Sequence, residues 1–260
     1  MADVEKLLNK GKFLVGMVHL APLPGSADFQ GDMETVYNHA LADAKSLADN
    51  GIEALMVENF SDGPYAKTLS LEQATALAAV TAVVKKETGL PVGIDAAFCD
   101  YKAALSGAKA AMADFVRLAV FVDTVECFAG ILEPCCSEAV PYRKHIGGEN
   151  IKIFADVQVK HTHMLVKDVD ITESAQVAQS CGADAIIVTG LATGAETPID
   201  TVKRVKAAVS CPVIIGSGLN ASNAKEQLSI ADGAIVGSSL KTNGRIDGAK
   251  VRELVASLKG

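Results

Sequence analysis

The feature that most constrains this fold is a regular alternation of short, continuous apolar runs with helix-length amphipathic segments. Each run is rich in Val, Ile and Ala at successive positions, which is typical of strands buried on both faces. The runs therefore predict parallel strands that helices cover on both sides. There are eight of them: Phe13–His19, Glu53–Glu58, Pro91–Ala96, Asp114–Val120, Ile151–Val157, Asp184–Thr189, Pro212–Gly216 and Gly233–Gly237.

The segments between the runs predict helices, because strong helix formers place apolar residues there at helical spacing. The clearest are Met33–Asn50, Leu71–Thr88, Glu173–Cys181, Pro198–Val209, Ser222–Ile230 and Gly248–Lys259. Eight strand-helix units predict an α/β fold, a single-domain (β/α)8 TIM barrel over residues 1–260. Closing the barrel removes the edge strands that the alternative, a doubly wound open sheet, would expose.

Composition narrows the partners and the compartment. The net charge is −7 and basic residues are dispersed, which argues against a nucleic-acid partner or a polybasic membrane patch. No apolar stretch approaches the roughly 20 residues of a transmembrane segment, and the first residues lack the features of a secretory signal. The six cysteines show no CxxC spacing, so reduced thiols in a cytoplasmic protein are expected. We expect a small molecule as partner.

Two glycine-containing loops follow the last two predicted strands. In a TIM barrel, ligands bind at the carboxyl ends of the strands, and the seventh and eighth loops often hold a phosphate. Glycine lets backbone N–H groups approach an anion closely. The residues Gly216, Ser217 and Gly218, with Gly237, Ser238 and Ser239, therefore predict a phosphate site. Simple tight turns are the alternative.

The fifth predicted strand leads into a group of polar residues. Alternation places Asp156, Gln158 and Lys160 on one face if the strand persists that far. Asp156 is a candidate base or metal ligand, and Lys160 a candidate Schiff-base nucleophile, oxyanion stabiliser or phosphate ligand. His161 follows directly and is a stronger candidate than His163. A structural ion pair is the alternative for Asp156 and Lys160.

Three other strands also end in titratable residues, which adds His19, Glu58 and Asp95 to the catalytic candidates. These acids, with Asp156 and either His19 or His161, could hold a divalent cation such as Mg²⁺, but no fixed-spacing metal motif is present and the sequence establishes no cofactor. Arg117 lies within the fourth strand and is expected to bind either one of these acids or an anionic substrate group.

Two loops are candidates for closure over a ligand. Thr189 begins the loop Thr189–Gly194, whose glycines and hydroxyls suit a hinged substrate-binding segment or a plain connection. The stretch Phe121–Pro134 is the longest irregular insertion and a candidate lid.

Several of these motifs together resemble a known family. They are Gly16-Met17-Val18-His19-Leu20-Ala21-Pro22-Leu23-Pro24-Gly25-Ser26, Val57-Glu58-Asn59, Ala155-Asp156-Val157-Gln158-Val159-Lys160-His161, Val188-Thr189-Gly190-Leu191-Ala192-Thr193-Gly194, Gly216-Ser217-Gly218 and Asp232–Lys241. The sequence resembles the BtpA/SgcQ family over nearly its whole length. The resemblance implies a TIM barrel of the ribulose-phosphate-binding type. One branch is named for photosystem I biogenesis, and the other resembles parts of sugar-utilisation systems.

Two function classes follow. The first is an enzyme that acts on a small phosphorylated sugar or related metabolite by isomerisation, epimerisation, aldol cleavage or phosphate-ester chemistry. The second is a non-catalytic assembly or biogenesis factor that keeps the barrel for its shape. The polar residues at the strand ends favour the enzyme. A homo-oligomer is compatible with either class.

Overall fold

The computed structural model describes residues 4–190 and 194–258. Eight parallel strands close into a barrel in the order β1-β11-β10-β9-β7-β4-β3-β2. These strands are β1 (Phe13–His19), β2 (Ala54–Glu58), β3 (Val92–Asp95), β4 (Phe115–Leu118), β7 (Lys152–Val157), β9 (Ala185–Val188), β10 (Val213–Ile215) and β11 (Gly233–Val236). The predicted TIM barrel is confirmed, and each predicted run matches one of these strands.

Helices lie between the strands on the outside of the barrel. They are α1 (Val4–Lys10), α2 (Met33–Asp49), α3 (Leu71–Thr88), α4 (Tyr101–Ala111), α5 (Cys136–His145), α6 (Ile171–Ser180), α7 (Ile199–Ala208), α8 (Ala224–Gln227) and α9 (Gly248–Ser257). Asp32, Ser70 and Asp100 cap α2, α3 and α4 by accepting hydrogen bonds from first-turn N–H groups. Within the described part of the chain, no helix is both long enough and apolar enough to cross a membrane.

Three of these helices depart from the sequence-based expectation. The predicted helix Ser222–Ile230 contracts to α8, which is flanked by turns. The end of the predicted helix Gly248–Lys259 lies outside the described residues, and α9 reaches Ser257. The helix α5, like α1 and α4, is absent from the clearest sequence-based helices; it has almost no amphipathic pattern and contains Pro141.

The barrel interior is filled at its amino-terminal end. Phe115 and Phe154 of the neighbouring strands β4 and β7 stack there with their ring centroids 4.5 Å apart, inside an apolar cluster to which seven of the eight barrel strands contribute. Val4 and Leu7 of α1 belong to the same cluster and cover this end of the barrel. A ligand therefore has access to the interior from the carboxyl ends of the strands, as in other TIM barrels.

The segment Phe121–Pro134 is not irregular, which corrects the sequence-based expectation. It contains the hairpin of β5 (Val125–Cys127) and β6 (Gly130–Leu132), and β8 (His163–Met164) pairs with β5. We call these three antiparallel strands the cap sheet. The buried side chains of its strands pack on an apolar cluster beside the barrel mouth, and this packing holds the hairpin in place. Two further short strands, β12 (Lys241–Thr242) and β13 (Arg245–Ile246), form a separate hairpin.

Candidate functional site

A cavity of about 450 Å³ opens at the carboxyl ends of the barrel strands. Most of the residues predicted as site candidates line it, and they come from β1, β2, β3, β4, β10, β11 and the loops that follow strands. The lining candidates are His19, Glu58, Asp95, Arg117, Lys160, His161, Gly216, Ser217, Gly218, Gly237, Ser238 and Ser239. Asp156 and Thr189 lie behind the lining. The volume is typical of small-molecule sites.

The floor of the cavity is an ion-pair cluster centred on Arg117. Its Nε and Nη2 atoms donate to the two carboxylate oxygens of Asp156 at 2.7 and 2.8 Å, and Nη1 donates to Asp95 at 3.2 Å. Asp156 is only 1% exposed because Arg117 covers it. The sequence analysis expected Arg117 to bind either an acid or an anionic substrate group, and the structure shows that it binds two acids. Arg117 also lines the cavity.

This pairing separates the acids that suggested a divalent cation. Asp95 and Asp156 both face the Arg117 guanidinium, which occupies the position between them that a cation would need. Across residues 4–190 and 194–258, no three or more His, Cys, Asp or Glu side chains are arranged to hold a metal ion. The predicted Mg²⁺ arrangement is therefore not formed by the described residues.

Asp95 and Glu58 respond differently to this environment. Burial, together with the negative charges of Glu58 and Asp156, raises the pKa of Asp95 to about 7, although Arg117 opposes the shift. Burial acts on Glu58 in the same direction, but the hydrogen bond from His19 and the positive charges of Arg117 and Lys160 outweigh it and lower the Glu58 pKa. The cavity therefore holds one ionised carboxylate and one carboxyl that titrates near neutral pH.

His19 connects Glu58 to a lysine that sequence analysis did not single out. The Nε2 atom of His19 lies 3.3 Å from Glu58 Oε2, and Lys241 Nζ lies 2.5 Å from Nδ1. A lysine ammonium can only donate, so Nδ1 accepts and the proton of a neutral His19 is on Nε2, facing Glu58. The His19 ring also stacks on Phe60 at a centroid distance of 4.1 Å. These contacts fix the orientation of Glu58.

Lys160 lies at the cavity, but its backbone does not continue the strand as the predicted alternation requires. Strand β7 ends at Val157, and Gln158 has a φ of 46°, so the expected common face of Asp156, Gln158 and Lys160 does not exist. Instead, Gln158 donates its backbone N–H to Asp123, and the Lys160 N–H donates to Thr189 Oγ1 at 3.1 Å. This turn directs Lys160 into the cavity. Burial and the nearby charge of Arg117 lower its pKa.

The two histidines after β7 lie in different places: His161 is at the cavity and His163 is not. His161 lines the cavity and adopts a left-handed φ of 63°, and burial together with the charge of Lys160 lowers its pKa. His163 lies on β8 opposite Glu126 of β5 and is exposed, away from the cavity.

The loop after β10 forms one wall of the cavity and is held by its neighbours. Ser217 Oγ accepts from Gly190 N at 2.8 Å and donates to Ala195 O at 3.1 Å. Gly218 has a φ of 76°, and a Cβ atom there would lie 2.3 Å from Ala195 O. Only glycine fits such a position without displacing backbone.

The loop after β11 completes this wall. Gly237 precedes a 3₁₀ turn, Ser238–Leu240, whose first two serines are exposed to the cavity. Ser239 Oγ donates to Leu219 O at 2.7 Å and so joins the two loops. The first N–H groups of a helical turn have no acceptor within that turn and suit an anion.

The predicted hinged loop Thr189–Gly194 is described only in part, since Leu191, Ala192 and Thr193 lie outside the described residues. Thr189 itself supports Lys160 rather than lining the cavity, and Gly194 lines it.

Sequence reasoning missed an aromatic group that also lines the cavity. Phe60 and Tyr65 follow β2, and Phe98 follows β3. Individually they resemble ordinary loop residues. A signal was nevertheless present, because the chain has few aromatic residues and Phe60 comes two positions after the strand-end Glu58.

Comparisons with known proteins agree with this architecture. A family model described as the BtpA family matches residues 10–260. An uncharacterised protein of Archaeoglobus fulgidus is 37% identical over 249 residues, covering 96% of this chain and 99% of that protein. The photosystem I biogenesis protein BtpA of Synechocystis is 34% identical over 240 residues, covering 91% of this chain and 83% of that protein.

Solved structures with the same fold are more distant in sequence. A tryptophan synthase structure from Mycobacterium tuberculosis matches with a TM-score of 0.65 at 16% identity, covering 100% of both chains. Thiamine phosphate pyrophosphorylase from Pyrococcus furiosus matches at 0.61 and 17%, covering 97% of this chain and 98% of that one. N-(5'-phosphoribosyl)anthranilate isomerase from Pyrococcus furiosus matches at 0.58 and 14%, covering 95% and 98%. At these identities the likeness shows the fold alone.

Proposed function

Since the chain belongs to the BtpA family and carries a polar cavity at the active end of a TIM barrel, we propose that it is an enzyme acting on a small phosphorylated sugar or related metabolite. One observation carries the proposal. A single cavity joins two glycine loops suited to an anion with a cluster of titratable side chains whose pKa values are shifted.

The phosphate group would bind between the loops after β10 and β11. Backbone N–H groups of Gly218, Ser238 and Ser239 are the proposed donors, with the two serine hydroxyls beside them. Gly218 packs on the backbone of Ala195 and Gly237 on Met17, where a Cβ atom would lie 2.3 and 3.2 Å away, so glycine keeps both loops in these close-packed positions. Binding energy from the phosphate would then hold the reacting carbon over the opposite part of the cavity.

The chemistry would be proton transfer at a carbon next to a carbonyl group. Glu58, ionised and oriented by His19, is the proposed base. Asp95, whose pKa of about 7 suits proton exchange at neutral pH, is the proposed partner acid. Lys160 would stabilise the negative oxygen that develops on the substrate. Asp156 is buried against Arg117, so we assign it the positioning of Arg117 rather than contact with substrate.

This assignment of Lys160 differs from a Schiff-base role, and the two are separable. A Schiff base between Lys160 and a carbonyl substrate forms with loss of water, and borohydride reduces it to a stable secondary amine, which adds the substrate's mass less one water plus two hydrogen atoms to the protein. We expect no such adduct on wild type. A borohydride-dependent adduct that disappears in Lys160→Arg would assign the nucleophilic role instead.

The names of the structural neighbours support a phosphorylated substrate. Two of them, thiamine phosphate pyrophosphorylase and N-(5'-phosphoribosyl)anthranilate isomerase, are named for phosphorylated compounds. An assembly role is named for the Synechocystis relative, but such a role gives no reason for titratable groups to be buried in a cavity. We keep the cytoplasm as the expected compartment, in line with the six free cysteines, and self-association as an open expectation.

A ligand screen tests the proposal. Thermal unfolding is followed with inorganic phosphate and a set of phosphorylated sugars, on wild type, Ser238→Asp and the matched control Ser238→Ala. A ligand at about a hundred times its Kd adds about 3 kcal/mol of stability. We expect a sugar phosphate to raise the Tm of wild type and Ser238→Ala but not of Ser238→Asp, whose carboxylate repels the phosphate.

The outcomes are distinct. An equal rise in all three proteins would place the phosphate elsewhere. No rise with any phosphorylated compound would remove the basis of the enzyme proposal. A ligand that binds is then assayed for loss or exchange of the proton on each carbon, with Glu58→Gln and Lys160→Ala as the variants expected to lose turnover.

A further inference from the structure

We propose that the substrate carries a planar aromatic or heteroaromatic group in addition to its phosphate, and that an aromatic rim on the far side of the cavity binds this group. The rim consists of Phe60, Tyr65, Phe98 and Phe128. The inference rests on the proposed function, because it concerns the second end of the same site and takes the phosphate end as given.

The first observation is the concentration of aromatic side chains. The chain has only eight Phe, four Tyr and no Trp. Four of these twelve residues gather at one side of the cavity. Tyr65 and Phe98 each lie close to Phe128, with centroid distances of 6.2 and 6.1 Å, and the Phe98 and Phe128 rings meet edge to face. These are separations at which aromatic rings attract one another.

The second observation is that two of the rim rings are exposed. Phe128 is 61% exposed and Phe60 41% exposed. Exposing a large apolar side chain to water is unfavourable relative to burying it. Phe60, Tyr65 and Phe98 line the cavity itself, where a small molecule would cover them, and Phe128 lies against Tyr65 and Phe98 just outside it.

The third observation is the position of the rim relative to the glycine loops. Strand β3 lies four strands from β10 around the closed barrel, and β4 lies four strands from β11. Loops that follow opposite strands face each other across the mouth. Phe98 follows β3 and Phe128 lies in the hairpin after β4, so these two rings face the proposed phosphate end. Phe60 and Tyr65 follow β2, which lies nearer to β11, and Phe60 stacks on His19.

The fourth observation is that hydrogen bonds fix the loops that carry the rim. Asn59, directly before Phe60, accepts from Ala97 N at 2.8 Å and donates to Asp62 at 3.2 Å. Asp62 also accepts from Leu23 N at 2.8 Å. Asn59 and Asp62 are both buried. This network joins the loops after β1, β2 and β3, so the rim is largely organised before a ligand binds.

These observations together define the ligand. A molecule with a phosphate at one end and a planar ring at the other would span the mouth and place the atoms between them over the titratable groups. Stacking on aromatic side chains accepts many kinds of planar ring, because each ring has a π face.

The experiment compares phosphate esters that carry a planar ring with one that does not. Isothermal titration is performed with ribose 5-phosphate, phenyl phosphate, and the 5'-monophosphates of uridine and adenosine. The proteins are wild type, Phe98→Ala and Phe128→Ala, with Phe29→Ala as the control for loss of a partly buried ring elsewhere. Circular dichroism confirms that each variant is folded.

We expect at least one ring-bearing phosphate to bind wild type about tenfold more tightly than ribose 5-phosphate. Phe98→Ala and Phe128→Ala should each lose most of this gain and keep the affinity for ribose 5-phosphate. Equal affinities for compounds with and without a ring, or a gain that survives both substitutions, would overturn the inference and leave the proposed function standing. Failure of every phosphorylated compound to bind would overturn the proposed function as well.

Discussion

The two sides of the barrel mouth are built on different principles. On the side of β10 and β11, small residues hold the backbone close to the cavity, and the side-chain hydrogen bonds are short links between neighbouring loops. On the side of β2, β3 and β4, large charged and aromatic side chains project into the cavity, and a buried ion-pair cluster supports them. The side of β10 and β11 therefore presents backbone groups to the cavity, and the side of β2, β3 and β4 presents side chains.

This difference has a consequence for how each side tolerates change. A loop that presents N–H groups depends on conformation, so a substitution harms it by adding a side chain where none fits. A charged cluster depends on every partner being present, so a substitution harms it by removing a charge. Substitutions on the side of β10 and β11 should therefore be harmful when they add atoms, and substitutions on the side of β2, β3 and β4 when they remove a charge.

The largest effect is expected at the centre of the charged side. Arg117→Ala removes the cation that pairs with Asp95 and Asp156 and leaves two buried carboxylates without it. Breaking a buried pair costs about 3–5 kcal/mol. Urea unfolding should show this loss. The control is Ser239→Ala on the other side, which deletes a single neutral hydrogen bond to Leu219 and should cost about 1 kcal/mol. Equal losses would mean that the cluster contributes no more than an ordinary hydrogen bond.

The second prediction concerns pH, and it follows from the raised pKa of Asp95. A carboxyl whose pKa is about 7 in the folded state and about 4 in the unfolded state binds its proton more tightly when folded. Stability from this group is complete below about pH 4 and is lost as the pH rises towards 7, by up to about 4 kcal/mol. Asp95→Asn keeps the shape without titrating.

Other charged groups near Asp95 also make the free energy of unfolding depend on pH. The prediction therefore concerns the difference in that free energy between wild type and Asp95→Asn. Glu58 has a lowered pKa and contributes in the opposite sense, losing stability as the pH falls. Both proteins contain Glu58, so its contribution cancels to first order. The free energy of unfolding of wild type minus that of Asp95→Asn should decrease from pH 4 to pH 7. A flat difference would show that Asp95 does not titrate in this range.

The third prediction tests the backbone side. Gly218→Ala places a Cβ atom 2.3 Å from Ala195 O at a φ of 76°. Gly244 has nearly the same φ, 79°, but its Cβ atom would meet nothing within 4 Å. Gly244→Ala therefore measures the cost of the left-handed conformation alone, about 1 kcal/mol. Gly218→Ala should cost about 1–3 kcal/mol more in urea unfolding. Equal costs would show that the loop gives way and that close packing does not restrict it.

The same contrast explains what could be predicted from the sequence. The strands and the glycine loops were predictable because both are local: apolar runs such as Ile151–Val157 mark a strand, and Gly216-Ser217-Gly218 directly follows one. The side chains that reach the cavity from strand ends, including Glu58 and Arg117, were predictable for the same reason, because a TIM barrel has a single functional end.

The relations between these residues were not predictable. Whether Asp156 faces the cavity or Arg117 depends on the position of a residue 39 places away in the chain. The path of Lys160 depends on the turn at Gln158, which ends the alternation one residue after the strand. The aromatic rim joins loops after three different strands, and its most exposed member, Phe128, lies in a segment that was expected to be irregular. These residues are far apart in the sequence and come together only when the barrel closes, so the sequence alone does not group them.

The smallest effect is expected where the loop after β2 meets the cap sheet. Lys67, in the loop after β2, donates to Ile131 O of the cap sheet at 2.6 Å. Lys67→Gln removes this exposed link and should lower global stability by no more than about 1 kcal/mol. Lys86→Gln, at an exposed position on α3, is the matched control.

The informative readout is local, because an exposed contact between a loop and a hairpin contributes little to global unfolding but holds the hairpin against local opening. Amide hydrogen exchange should become faster in residues 125–132 of Lys67→Gln, while the barrel strands exchange as in wild type. Since Phe128 is at the tip of this hairpin, the same variant should weaken the binding of ring-bearing phosphates more than that of ribose 5-phosphate. Unchanged exchange in the hairpin would show that its packing on the barrel, rather than Lys67, holds this side of the mouth in position.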